Sequence, residues 1–110
     1  MRARHLIETL EAWGGRGRHL VPSTDPAAPE FEPRRYWRGP VWLIVNWMIA
    51  DGLGRIGATD LADRIRKDGC ALVEKSGFFE YFDPQNGEGC GGGAFTWTAA
   101  VALFWLLDEA

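Results

Sequence analysis

Two stretches of this chain, Val41 to Leu53 and Thr96 to about Asp108, are apolar on every side of a helix. In the first, Asn46 is the only polar residue before Asp51; in the second, Thr96 and Thr98 are the only ones before Asp108. A helix of that kind has to be covered all round. The other two helical stretches are one-faced. Ala3 to Trp13 places apolar residues at 3, 6, 7, 10 and 13 and sets Arg4, Glu8 and Glu11 opposite. The stretch from Thr59 or Asp60, either of which suits an N-cap, to about Lys75 carries Leu61, Ala62, Ile65, Leu72 and Val73 in one stripe. The kinds alternate along the chain, as in a two-layered ring where outer helices shield inner ones. Two one-faced helices cannot cover two all-round ones. The sequence therefore predicts an all-α chain of about four helices that is part of a larger ring, leaving an apolar patch beyond what soluble monomers tolerate.

Two long loops separate these helices. Gly14-Gly15 ends the first helix, and residues 14–38 follow with Pro22, Pro26, Pro29 and Pro33. A structureless loop of this length is usually functional or disordered. Its aromatic finish, Phe31 and Tyr36-Trp37, predicts a loop that packs on something. Pro40 suits the first turn of the next helix, and Gly52 to Gly57 reads as the turn after it. The second loop, Gly77 to Gly93, contains Asp83-Pro84-Gln85-Asn86-Gly87, the chemistry of a tight turn.

Composition excludes several classes of function. The net charge is −3, with acids and bases mixed, so no basic face is present to meet nucleic acid. Cys70 and Cys90 have no CxxC spacing, and two free thiols are expected rather than a disulfide. His5 and His19 lie far from both, so neither a metal site nor a cofactor is expected. The apolar runs Val41 to Ala50 and Phe95 to Leu107 fall short of the roughly 20 residues of a spanning helix. No export signal is visible, which makes a cytoplasmic location the expectation. Six tryptophans are unusual in 110 residues. Such rings hold flat apolar ligands, sugars included, or simply fill a core.

The candidate chemistry lies at Glu80, flanked by Phe78, Phe79, Tyr81 and Phe82. Carboxyl groups held among rings are poorly solvated, and poor solvation suits a carboxyl group to proton transfer near neutral pH. The aromatic strip Tyr36 to Trp42 is expected to face this loop. Asn46, buried in its helix, needs partners, either in the core or beside the site. Glu88 lies between glycines and is read as exposed and mobile. Gly91-Gly92-Gly93 lacks the lysine and strand of a phosphate loop, so flexibility or close backbone approach is expected there.

Tyr36-Trp37-Arg38-Gly39-Pro40-Val41-Trp42, Asn46-Trp47, and Gly77-Phe78-Phe79-Glu80-Tyr81-Phe82-Asp83-Pro84 with Gly87-Glu88-Gly89 resemble glycoside hydrolase family 63. Val21-Pro22-Ser23-Thr24-Asp25-Pro26 and Phe95-Thr96-Trp97-Thr98-Ala99-Ala100 extend the likeness over nearly the whole chain. Within the family it is nearest to the bacterial mannosylglycerate and glucosylglycerate hydrolases. The resemblance implies an (α/α)6 toroid of which residues 1–110 are a C-terminal fragment. It also implies inverting hydrolysis of a small α-glycoside or oligosaccharide, with Glu80 matching the general base. Trp37 and Trp42 would then wall the sugar subsite, and Tyr36 would donate a hydrogen bond. Arg38 would pair with Glu80 or with a ligand carboxylate, and Asn46 and Trp97 would border the ligand.

In this family the general acid is an aspartate upstream of the matched region. Asp51, Asp60, Asp63 and Asp68 do not sit in its motif. The chain alone is therefore expected to be inactive and to need the missing upstream part of the toroid as its partner. A non-catalytic carbohydrate-binding remnant and a decayed truncated gene product are the alternatives.

Overall fold

The structure, a computed structural model, describes residues 2–109. Its helices are α1 (Arg2–Trp13), α2 (Leu43–Arg55), α3 (Thr59–Ser76) and α4 (Thr96–Glu109). A short 3-10 turn, Gly15–Gly17, follows α1, and a two-residue hairpin, β1 (Tyr81–Phe82) and β2 (Gly89–Cys90), lies between α3 and α4. The molecule is a slab of 40 × 39 × 19 Å. Its thickness is about that of two helices laid one on the other.

The stripe foreseen on α3 is the spine of the core. Leu61, Ile65 and Leu72 are buried along it. One half of the core joins Leu61 and Ile65 to Leu10 of α1, Leu53 of α2 and the loop residues Leu20 and Val21. The other half joins Leu72 to Val41, Leu43, Phe82, Val101 and Trp105. Gly69 lets α4 approach α3: a Cβ there would lie 2.5 Å from the Trp105 ring.

Three local expectations are corrected. Pro40 does not open α2, which starts at Leu43, because Val41 is extended and bridges Pro22 on one side and Phe82 on the other. Gly52 and Gly54 lie inside α2; the turn falls at Gly57, which has φ 85°. Thr59 is the first residue of α3, preceded by Ala58 without a side-chain cap.

The long loop is tied down along its length. Arg64 of α3 donates from Nη2 to the carbonyls of Gly14 and Arg18, at 2.9 and 3.1 Å. The Leu20 amide donates to Asp68 Oδ2 at 2.9 Å, and that of His19 to the Pro84 carbonyl at 2.7 Å. Cys70 and Cys90 form no disulfide.

The expected apolar patch is present. Met48, Ile56, Leu103, Phe104 and Leu107 are all more than half exposed. Leu6, Leu10, Ile49, Gly52, Leu53 and Ile56 line an open groove of about 330 Å³ between α1 and α2. Among the described residues, no helix is long and apolar enough to cross a membrane.

Candidate functional site

Backbone register joins the two motif-bearing loops. Val41 and Phe82 exchange both amide–carbonyl bonds, at 2.8 and 3.0 Å. This antiparallel bridge sets Trp42 opposite Tyr81, so the aromatic strip does face the Glu80 loop. Their rings lie 5.0 Å apart at 25°. On its other face Trp42 stacks on Trp37, at 4.0 Å and 9°. Tyr36 meets all three rings edge-on, at 4.8 to 5.8 Å. Phe95 meets the edge of Trp42 at 6.5 Å and that of Trp97 at 5.9 Å, which extends the cluster onto α4. Tyr36 holds φ 41°, a left-handed conformation that costs a bulky residue about 1–3 kcal/mol. Its three ring contacts, and the bond its carbonyl accepts from Trp42 Nε1 at 2.9 Å, hold it there.

Glu80 precedes Tyr81 at the edge of this cluster and is half-buried. Its amide donates to the Gly92 carbonyl at 2.9 Å. Among the described residues, its carboxylate makes no hydrogen bond or ion pair. The glycine loop closes over it. A Cβ at Gly91, where φ is 74°, would lie 2.5 Å from Glu80 Oε1 and 2.9 Å from the Tyr81 ring. A Cβ at Gly89 would lie 2.2 Å from the Phe79 ring. Close approach, not flexibility alone, is thus what those two glycines allow. The loop is also anchored to α4. Thr98, almost wholly buried, donates to the Phe79 carbonyl at 2.7 Å, and the Phe95 amide to that of Phe78 at 2.8 Å.

Other acids, two on the same loop and one on α3, are engaged. Asp83 accepts from the Gln85 amide at 2.8 Å and from Arg34 Nε at 3.1 Å, which closes the tight turn foreseen there. Glu88 is exposed but ion-paired with the same arginine. Asp68 is held by Leu20 and Arg64. Desolvation, then the charges of Cys90, Glu80 and Tyr36, pushes the Tyr81 phenol up, so it remains an O–H donor at neutral pH. Burial likewise pushes the Cys90 thiol up, against a lowering by Arg34.

The predicted site residues divide into three groups. Tyr36, Trp37 and Trp97 are half exposed in the cluster. Trp42 is 4% exposed, with Trp37 and Tyr81 stacked on it. Asn46 lies in the core. It is fully buried, accepting from the Val21 amide at 3.0 Å and donating to the Leu20 carbonyl at 2.8 Å, so its amide clamps the loop. Arg38 is exposed and makes no ion pair with Glu80 or any other described residue. Sequence reasoning left Tyr81 and Phe95 out of the site. Only the Val41–Phe82 register reveals the first, and the anchoring of α4 the second.

The family described as "mannosylglycerate hydrolase MGH1-like glycoside hydrolase domain" matches residues 1–98. The chain is 54% identical over 104 residues to a mannosylglycerate hydrolase of Thermus thermophilus, covering 94% of this chain and 25% of that protein. It is 40% identical over 87 residues to a glucosylglycerate hydrolase of Mycolicibacterium hassiacum, covering 79% and 20%. Its fold superposes on a crystal structure of the GH63 mannosylglycerate hydrolase of Thermus thermophilus in complex with glucose. The TM-score is 0.93 at 53% identity, covering 96% of this chain and 27% of that one. A second structure of that enzyme contains Tris and D-glycerate. The four helices match part of this toroidal structure, and the chain spans about a quarter of the length of that curated Thermus relative.

Proposed function

From the premise that this chain belongs to the mannosylglycerate hydrolase MGH1-like family of glycoside hydrolases, we propose that it is the base-bearing segment of an inverting α-glycosidase. Residues 1–110 supply the C-terminal part of an (α/α)6 catalytic domain. The substrate is a small α-glycoside of the glucosylglycerate or mannosylglycerate type, as the names of the relatives suggest. One observation carries the assignment of Glu80. Its half-buried carboxylate makes no hydrogen bond or ion pair among the described residues, while Asp83 and Glu88 of the same loop are both engaged.

In the proposed step, Glu80 accepts a proton from a water that attacks the anomeric carbon. The C–O bond to the aglycone breaks on the opposite face, where a carboxylic acid protonates the leaving oxygen. Inversion requires the two carboxyl groups roughly 6.5–9.5 Å apart, so Glu80 cannot perform both tasks. The acid belongs to the remainder of the toroid, the partner this segment requires. Trp37 and Trp97 supply ring faces for the sugar, with Tyr36 as hydrogen-bond donor and Arg38 as the cation for a glycerate carboxylate.

The test is to join this chain to the rest of the toroid from the Thermus relative and assay glucosylglycerate and mannosylglycerate. Glu80→Gln lowers kcat by about 10²–10⁴-fold, the usual worth of a general base. Unchanged turnover in that variant contradicts the assignment. The exposed Trp37 face also favours a binding-only alternative, for which tryptophan fluorescence of the joined protein would saturate with glucosylglycerate without turnover.

A further inference from the structure

We propose that Tyr81 is a positioning residue: its ring is the base of a three-ring stack that fixes the exposed face of Trp37 relative to the Glu80 carboxylate. The inference rests on the function proposed above and adds a residue to it. The rings are ordered Tyr81, Trp42, Trp37, with centroid spacings of 5.0 and 4.0 Å and interplanar angles of 25° and 9°. Trp42 is buried between the other two, with its Nε1 bonded to the Tyr36 carbonyl. Trp37 is 48% exposed, and its outer face meets no further ring among the described residues. Tyr36 braces all three rings from the side.

Both ends of the stack are held by backbone bonds, but only the Tyr81 end adjoins Glu80 in the chain. Tyr81 lies in β1, paired with Cys90, and the next residue, Phe82, is bonded on both sides of its peptide to Val41. Trp37, by contrast, sits in the long loop, where its carbonyl accepts from Thr24 Oγ1 at 3.1 Å. Glu80 is the neighbour of Tyr81 on the same strand segment, and Gly91 packs against both side chains. The stack therefore joins the exposed indole, which its own loop also holds, to the strand segment that carries the carboxylate. Stacking of this kind is directional, and a side chain of similar bulk without a flat face does not supply it.

The measurement is steady-state kinetics of the joined protein on glucosylglycerate with Tyr81→Phe and Tyr81→Leu, alongside Glu80→Gln. Phenylalanine keeps the flat ring, and KM and kcat stay within about twofold of the parent. Leucine removes it, and kcat/KM falls about tenfold, mainly through KM. Far-ultraviolet circular dichroism of the 110-residue chain reads the stack directly, and the exciton signal of the Trp37–Trp42 pair weakens in Tyr81→Leu but not in Tyr81→Phe. A leucine variant with parental KM and exciton signal overturns the proposal. So does a phenylalanine variant as impaired as leucine, because the hydroxyl would then be what matters. Failure of the catalytic assignment reads differently: Glu80→Gln retains full turnover whatever the Tyr81 variants do.

Discussion

At the scale of single residues, the candidate site depends on a carboxylate with no hydrogen bond or ion pair among the described residues and a glycine that leaves it room. Any side chain at Gly91 meets both a left-handed backbone and the Glu80 carboxylate. Gly91→Ala therefore displaces Glu80, and in the joined protein kcat falls about 10²-fold, the effect of a misplacement near 1 Å; circular dichroism and kinetics together check that the fold survives. Asn46 behaves oppositely. Asn46→Ala orphans the Val21 amide and Leu20 carbonyl, lowering stability by about 1–3 kcal/mol for each group, as measured by urea unfolding. Its need for partners was legible in the sequence, since an amide in an all-apolar helix must be bonded. Which partners it has was not legible, because they come from a loop more than twenty residues upstream whose path no local pattern encodes. Glu80 was legible as the candidate acid, but its sequence neighbours part company in space: Phe82 turns into the core, while Tyr81 stays beside it and is stacked on Trp42 from the other loop.

At the scale of elements, helix periodicity carried the reading. The four helices fall within a few residues of expectation, and the errors have a common origin. Pro40 was assigned to a helix N-terminus from its local preference, whereas the Val41–Phe82 bridge holds the chain extended until Trp42. A two-residue hairpin has no periodicity to read. That hairpin also carries a pH dependence. Tyr81 and Cys90 face each other across it, both held above their ordinary values of 10.0 and 9.0. Unfolding releases them, so between the ordinary and raised values the folded state binds protons that the unfolded state has lost. Their contribution is fully present below the ordinary values and is lost as pH rises through the raised ones. Urea midpoints measured from about pH 8 to about pH 11 fall with pH, and the fall is shallower in Tyr81→Phe.

At the scale of the whole molecule, the apolar surfaces that the alternating helices foretold are on display along α4 and between α1 and α2. The 110-residue chain accordingly binds a hydrophobic dye and self-associates with rising concentration, and Phe104→Lys with Leu107→Lys reduces both, as light scattering would record. Shape and partial shielding were legible because they follow from counting covered and uncovered faces. The identity of what covers those faces was not, since it lies in no residue of this chain. Glu80 as the base of an inverting hydrolysis is the central claim, and azide tests it most directly because that anion attacks carbon without surrendering a proton. In the joined protein, Glu80→Ala is predicted to lose hydrolysis of an α-glucoside and to regain turnover with azide, releasing β-glucosyl azide. Hydrolysis that persists in that variant, or azide that restores nothing while the fold is intact, would contradict it.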